Sequence, residues 1–371
     1  MRVEFFTKGL KQIIMSQDIQ SRRSFIKTGL AGSVALAAGS LPAVAALPGT
    51  LFSDREDVLK KVRSGKSSIS TISDVGVRIY SEKITTPVKL MVISDTHLWM
   101  SDNREDPFRQ YSGRMSKAYN HTKHFQTLDD TCPDQAFQKT LGIAKEKGVD
   151  AIFHLGDLVS FPSEAGVEWA VEQFEATGIP WYYVSGNHDW HYEGMEGTEI
   201  SLRNEWTERR LSPLYKGRNP LLSAVDVKGL KVVMLDDSVY EILPEQLSLF
   251  RKEMKEGKPS LMMSHIPLYA PGFSIGYGCG HPDWNAETDR NYEIERRPRW
   301  PAEGHTTTTF DFWKEVIRSH ARNNLLATFA GHVHNQAYSL VDGWPQFTLK
   351  ANFSGAYLIV EVLPIPESRR G

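Results

Sequence analysis

Three short stretches decide the fold: Val88-Lys-Leu-Met-Val-Ile-Ser-Asp-Thr-His97, Asp150-Ala-Ile-Phe-His-Leu-Gly-Asp157 and Trp181-Tyr-Tyr-Val-Ser-Gly-Asn-His-Asp189. Each is carried by mainly aliphatic or aromatic residues, the pattern of a strand buried on both faces, and ends abruptly in small, acidic and imidazole side chains. Between them lie Asp134–Lys147, stopped by Gly148, and Gly166–Thr177, stopped by Gly178. Apolar residues recur there at three- and four-residue spacing, and a glycine just past the last turn is a helix stop. Strand, helix, strand, helix requires parallel pairing with crossovers, so the class is α/β. In such sheets the polar residues at carboxyl ends of strands face a shared crevice.

Working outward, Leu221–Val227 and Leu230–Leu235 flank Lys228-Gly229 as a hairpin, Pro244–Glu256 reads as a helix, and Ser260–Met263 is a strand ending at Ser264-His265. A helix near Phe310–Ala321 precedes the strand Asn324–Ala330, which runs into Gly331-His-Val-His334. Phe347–Ala351 and Ala356–Val362 are expected as antiparallel strands flanking Asn352-Phe-Ser-Gly355. Two long irregular stretches, residues 98–133 and 268–309, interrupt this order, and loops of that length are normally functional or disordered.

With 371 residues, 40% apolar and 24% charged, the chain can bury a substantial core. Its 43 basic and 45 acidic side chains nearly cancel, so no strong basic field points to a nucleic-acid partner. The distribution is uneven. Residues 1–45 hold six Lys or Arg and two acids, with Ser21-Arg22-Arg23-Ser24-Phe25-Ile26-Lys27 ahead of the uncharged Ala/Gly/Ser-rich stretch Thr28–Ala46 and its Ala43-Val44-Ala45. Basic region, apolar region and small-residue cleavage site make residues 1–45 a signal peptide, and the paired arginines resemble a twin-arginine export signal. Met15 would open a more compact version of it. The expected partner during export is the twin-arginine translocase, the expected location periplasmic, and no stable membrane anchor is expected, because Gly, Ser and Pro make the apolar stretch weakly hydrophobic. Cys132 and Cys279 are the only cysteines. They leave a disulfide and two separate thiols both open, and exclude a zinc ribbon or a Cys-x-x-Cys redox pair.

The polar strand ends line up as Asp95-x-His97, Gly156-Asp157, Gly186-Asn187-His188-Asp189, His265 and Gly331-His332-x-His334. Alone, each is ordinary turn chemistry. In this order they resemble the signature of the calcineurin-like metallophosphoesterase superfamily, across roughly residues 88–356 of a domain taken as 46–371. The resemblance implies a four-layer α/β/β/α sandwich, two mixed β-sheets between helices, with a dinuclear metal site at the strand ends. It implies that Asp95, His97 and His334 bind one metal, that Asn187, His265 and His332 bind a second, and that Asp157 bridges both. His188 would act as catalytic proton donor beside the metals, with Asp189 or the loop of Asp157 steering its ring.

The residue types fit that chemistry. Two cations 3.5–4 Å apart repel, and a shared carboxylate offsets the repulsion while positions stay open for water. Imidazole, carboxylate and a neutral amide suit Mn, Fe, Zn or Co without choosing among them. A hydroxide bridging two such ions would attack phosphorus in line. The expected activity is therefore an exported metal-dependent phosphoric ester hydrolase, phosphodiesterase or phosphomonoesterase, acting on a small-molecule phosphate ester. A non-catalytic metal-binding family member and a dinuclear hydrolase of another ester or amide remain alternatives. Ser160 stands where purple acid phosphatases carry a metal-binding Tyr, which argues against a Tyr-ligated centre. Specificity is expected from the insertions, through Arg104, Arg109, Tyr111, Arg114, Tyr119, His121 and His124 in the first, and Tyr269, Tyr277, His281, Trp284, Arg296, Arg297, Arg299 and Trp300 in the second. The equal alternative is a solvated loop held down by its aromatics. His154 and His320 are expected to be structural.

Overall fold

A computed structural model describes residues 67–289, 303–322 and 324–366. The leader over residues 1–45 lies outside the described residues, as do Arg296, Arg297, Arg299, Trp300 and the side chain of Tyr277. The strands are β1 (Ser67–Ile72), β2 (Gly76–Ser81), β3 (Val88–Ile93), β4 (Thr122–Lys123), β5 (Asp130–Thr131), β6 (Ala151–Leu155), β7 (Trp181–Val184), β8 (Leu222–Val227), β9 (Leu230–Leu235), β10 (Ser260–Met263), β11 (Leu325–Ala330), β12 (Ala337–Val341), β13 (Trp344–Thr348) and β14 (Leu358–Pro364). The longer helices are α1 (Pro133–Lys147), α2 (Glu164–Glu175), α3 (Glu199–Trp206), α4 (Pro244–Met254) and α5 (Thr307–Ala321).

Two six-stranded sheets form, in the orders β1-β2-β14-β3-β6-β7 and β12-β13-β11-β10-β9-β8. Both are mixed: β3, β6 and β7 run parallel in one, β9, β10, β11 and β13 in the other, and antiparallel strands complete each. The two-residue alternation of a strand sorts their side chains. Leu90 and Val92 of β3, Phe153 and Leu155 of β6, Val232 and Met234 of β9 and Leu261 and Met263 of β10 share one buried cluster between the sheets. Their neighbours Met91, Ile93, Ile152, Val233, Leu235 and Met262 belong to the outer core, with Phe137 and Leu141 of α1, Phe174 of α2, Phe250 of α4 and Phe312 of α5. The architecture is thus the four-layer sandwich that the sequence implies.

Helix ends follow local chemistry. Pro133 opens α1, Lys145 and Lys147 sit in its last turn, and Gly148 closes it in the left-handed conformation, its N–H donating to the carbonyls of Ala144 and Lys145. Thr306 caps α5 by accepting from the backbone N–H of Thr309.

Two expectations need correction. The final strands are not a pair with each other: β13 lies parallel to β11 in the second sheet, whereas β14 sits between β2 and β3 in the first. The connecting turn at Asn352–Ser354 is tied to the site loop, Asn352 and Phe353 donating to the carbonyls of Ser94 and Asp95 at 2.8 and 3.0 Å. That tie redirects the chain from one sheet to the other, a long-range contact that strand pattern does not encode. Residues 98–133 are likewise not irregular throughout. They hold short helical turns at Asn103–Phe108, Arg109–Ser112 and Met115–Ala118 and the β4–β5 ladder, anchored by Glu105, which is buried and paired with Arg210 and the Tyr192 hydroxyl.

Candidate metal centre

All seven metal-ligand candidates lie within four residues of a strand end: Asp95 and His97 after β3, Asp157 after β6, Asn187 after β7, His265 after β10, and His332 and His334 after β11. Five of them, Asp95, His97, Asp157, His332 and His334, hold left-handed backbone with φ between 51° and 68°. Each such L residue costs about 1–2 kcal/mol, so the surrounding structure must impose the conformation. It does so by tying the loops to one another. The Asp95 N–H donates to Gly156 O and the His97 N–H to Asp157 O, both at 2.9 Å, and the Gly331 N–H donates to His265 O at 2.8 Å.

Glycine is needed here for close approach as well as for turn geometry. Gly156 has φ +83°, but Gly331 has ordinary φ; a methyl group there would collide with Ser94 Oγ and come within 2.6 Å of Asp95 Oδ2.

The side chains converge in two groups sharing one carboxylate. In the first, ligand atoms of Asp95, His97, Asp157 and His334 lie within 4.8 Å of one another; in the second, those of Asp157, His265 and His332 do. His97 Nε2 is 3.3 Å from His334 Nε2, which is 3.3 Å from Asp95 Oδ1. His265 Nε2 is 3.3 Å from Asp157 Oδ2 and 3.2 Å from Asn187 Oδ1. His265 Nδ1 donates to the carbonyl of Leu155 at 2.7 Å, and its Nε2 faces two oxygens that only accept, so positive charge, from a proton on Nε2 or from a cation, must lie between them. Burial opposes charge on His265, yet Asp157 raises its pKa to about 10, while burial, together with His188, His334 and His265, keeps His97 well below its ordinary value against the pull of Asp157. Asp157 is held well below the carboxylate range by His265 and His188, against its burial. The donor set therefore fits two cations with Asp157 between them.

His188 and Asp189 part company. The His188 backbone N–H donates to Asp157 Oδ1 at 2.8 Å, so the loop of Asp157 positions it, and its ring stands edge-on to His97 at 5.1 Å. Asp189 does not reach that ring. Its fully buried carboxylate accepts from the backbone N–H groups of Val159 and Gly186 at 2.9 and 2.8 Å, stapling the loop after β6 to the loop after β7. Burial and the charge of Asp157 raise its pKa. The His188 Nδ1 atom is buried with no hydrogen-bond partner among the described residues.

Several further residues support the site. Tyr119, from the first insertion, stacks on His97 at 4.2 Å and on Phe353 at 4.7 Å. Asp237 Oδ1 accepts the backbone N–H groups of His265 and Ile266 at 3.1 and 2.9 Å, and burial pushes its carboxyl up to about 7. The Tyr240 hydroxyl lies 2.7 Å from His332 Nε2. Below Asp95 and His97, Thr96 donates to Asn352 Oδ1 at 3.1 Å, so the His154 Nε2–H must donate to Thr96 Oγ1 at 2.8 Å. His154 is structural in that sense, as is His320, whose Nδ1 donates to Leu325 O at 2.8 Å. Tyr119 was already a candidate from the first insertion, and Asp236-Asp237 at a strand end carried a sequence signal; Tyr240 and Thr96 became visible through contacts.

The arginines expected in the first insertion, Arg104, Arg109 and Arg114, go to acids. Arg104 pairs with Asp102, Glu164 and Glu168, Arg109 with Asp106 and Arg114 with Glu193. Of the remaining insertion residues, Tyr111 packs near Tyr192, His124 against Phe125, and Tyr269 edge-on to a buried His281. Trp284 is buried, stacks on His305 at 4.7 Å and donates to Asp289. Cys132 and Cys279 are both free thiols.

Two mixed sheets pack face to face, and their strand ends bring two carboxylate and imidazole clusters onto one shared aspartate, a donor set that fits a dinuclear metal centre. The chain belongs to the calcineurin-like phosphoesterase family, whose model matches residues 88–338, and is a phosphoric ester hydrolase. The family works with a dinuclear metal centre. Among solved structures, a dimetal phosphatase from Danio rerio is similar at 12% identity and TM-score 0.44, over 72% of this chain and 88% of that one. A purple acid phosphatase from yellow lupin, Lupinus luteus, is similar at 12% identity and TM-score 0.41, over 74% of this chain and 47% of that one. A phosphopantetheinyl hydrolase from Mycobacterium tuberculosis is similar at 13% identity and TM-score 0.36, over 75% and 97%. No curated protein matches the chain.

Proposed function

We propose that this chain is an exported phosphoric ester hydrolase working with two metal ions, one held by Asp95, His97 and His334, the other by Asn187, His265 and His332, with Asp157 shared. The observation that carries the reading is the convergence of two ligand clusters on the single carboxylate of Asp157. When bound, the ions supply Lewis acidity, acidifying a water and drawing charge from the phosphoryl oxygens. The protein's own part is placement. Asp157 is kept ionised by the imidazoles around it, Asn187 adds an oxygen without charge, and the loop ties described above hold the ligands in strained conformations before substrate arrives.

His188 is the proton donor to the leaving oxygen. Its backbone is fixed by Asp157 and its ring lies beside the first cluster, which supports that role. Asp189 acts as the staple that keeps the His188 loop in register. Export as a folded protein through the twin-arginine translocase, to the periplasm, is supported by Ser21-Arg22-Arg23-Ser24-Phe25-Ile26-Lys27 and the uncharged stretch after it. No helix among the described residues is long and apolar enough to cross a membrane.

The test is hydrolysis of bis-(p-nitrophenyl) phosphate and p-nitrophenyl phosphate by the protein from residue 46 onward, loaded with Mn2+, with His188→Ala as control. Metal-dependent turnover that falls at least about 100-fold in the control is expected. Diester preference assigns a phosphodiesterase and monoester preference a phosphatase. Absence of metal-dependent turnover on either substrate, with two ions bound, would refute catalysis of this kind.

A further inference from the structure

We propose that Tyr240 is a positioning residue of the second cluster: by engaging Nε2 of His332 it dedicates Nδ1 of that ring to a cation. The proposal rests on the reading of the two clusters as cation sites.

Tyr240 follows β9 in a tight turn closed by its own N–H donating to Asp237 O at 2.8 Å. Its side chain is 3% exposed, and its backbone sits at φ +62°, a conformation that bulky residues adopt only when the surroundings impose it. The thiol of Cys279 donates to the Tyr240 carbonyl at 3.3 Å, fixing the turn from the side of the second insertion. So held, the hydroxyl lies 2.7 Å from His332 Nε2 and the two rings meet edge to face at 5.3 Å.

An imidazole has two nitrogens, and a ring that binds a metal through one donates the N–H of the other to a neighbour that sets tautomer and orientation. With His332 Nε2–H donating to the Tyr240 oxygen, the lone pair is left on Nδ1. The reverse arrangement, with the phenol donating, would leave the proton on Nδ1 and remove that ligand. The same turn also holds His265, through Asp237 Oδ1 and the N–H groups of His265 and Ile266. One turn therefore braces both imidazoles of the second cluster. Those of the first, His97 and His334, pack instead on Tyr119 and Phe353, which come from other segments. Removing the Tyr240 hydroxyl should accordingly weaken one cation and spare the other.

The experiment is calorimetric titration of metal-stripped wild type and Tyr240→Phe with Mn2+, with thermal unfolding of both stripped proteins measured alongside. Phenylalanine keeps the ring and its packing. Wild type is expected to bind two Mn2+. The variant is expected to bind one with wild-type affinity and the other about 10–100-fold more weakly, the usual effect of losing such a partner, with unfolding of the stripped protein unchanged. Two wild-type affinities in the variant would overturn the proposal. So would equal weakening of both together with a lower unfolding temperature, which would mark a merely structural role. A wild type that fails to bind two Mn2+ would instead overturn the underlying two-cation reading and this proposal with it.

Discussion

Protonating His154 should loosen the loop that carries Asp95 and His97, and the size of the effect can be worked out. The ring is fully buried, donates Nε2–H to Thr96 and has no partner for Nδ1 among the described residues, so a second proton finds no acceptor. Burial, aided by His265, lowers its pKa from 6.5 to about 3. The depressed value means that the fold favours the neutral ring while the unfolded chain takes up a proton near 6.5. Stability from this group is complete above that pH and is lost as pH falls toward 3. Between pH 7 and pH 5 the loss is about 2 kcal/mol, from 1.36 kcal/mol per pH unit over about 1.5 units. Urea unfolding of metal-stripped wild type and His154→Gln at both pH values isolates it, because the other titrating groups are common to the two proteins. Glutamine keeps a donor for Thr96 and does not titrate. The stability of wild type should fall by about 2 kcal/mol more than that of the variant over this range. Equal losses in the two proteins would refute the buried neutral imidazole.

Three other outcomes follow from the site. Asp157→Asn should lower turnover at least about 100-fold and reduce bound Mn2+, read by elemental analysis, because both clusters share that carboxylate; near-normal activity in excess metal would contradict the sharing. Gly331→Ala should destabilise the protein by about 1–3 kcal/mol, the usual range for overpacking, and should also weaken metal binding, since the new methyl group meets Ser94 and Asp95; a denaturant midpoint equal to wild type would show the loop to be soft. Reductant should leave the melting temperature unchanged. In the folded protein Cys279, fully buried, should react with a thiol reagent far more slowly than Cys132, and equal rates would place Cys279 elsewhere.

The strands that end at the site were legible because their sequence is unambiguous. Mainly apolar runs of four to six residues followed closely by Asp, Asn or His have few other readings, and the glycine stops at Gly148 and Gly178 bounded the intervening helices. Less was legible where partner choice mattered. The last two strands had strand composition but no local mark of which sheet each joins, and Asp189 looked like a companion for His188 because they are adjacent in sequence. In three dimensions its carboxylate turns to two backbone N–H groups instead. The first-insertion arginines were candidates for substrate specificity until their acidic partners, some more than 60 residues away, became visible.

What the sequence by itself determined is the class of the protein and the roster of side chains at its centre, since strand ends in an α/β sheet must point into one crevice and these residue types share one chemistry. What the tertiary structure decided is which atoms meet. The two clusters' common aspartate, the strain held at five ligand candidates and the turn that aims His332 through Tyr240 all depend on contacts between loops distant in the chain. Such contacts are set by the packing of two sheets face to face, and no local pattern carries them.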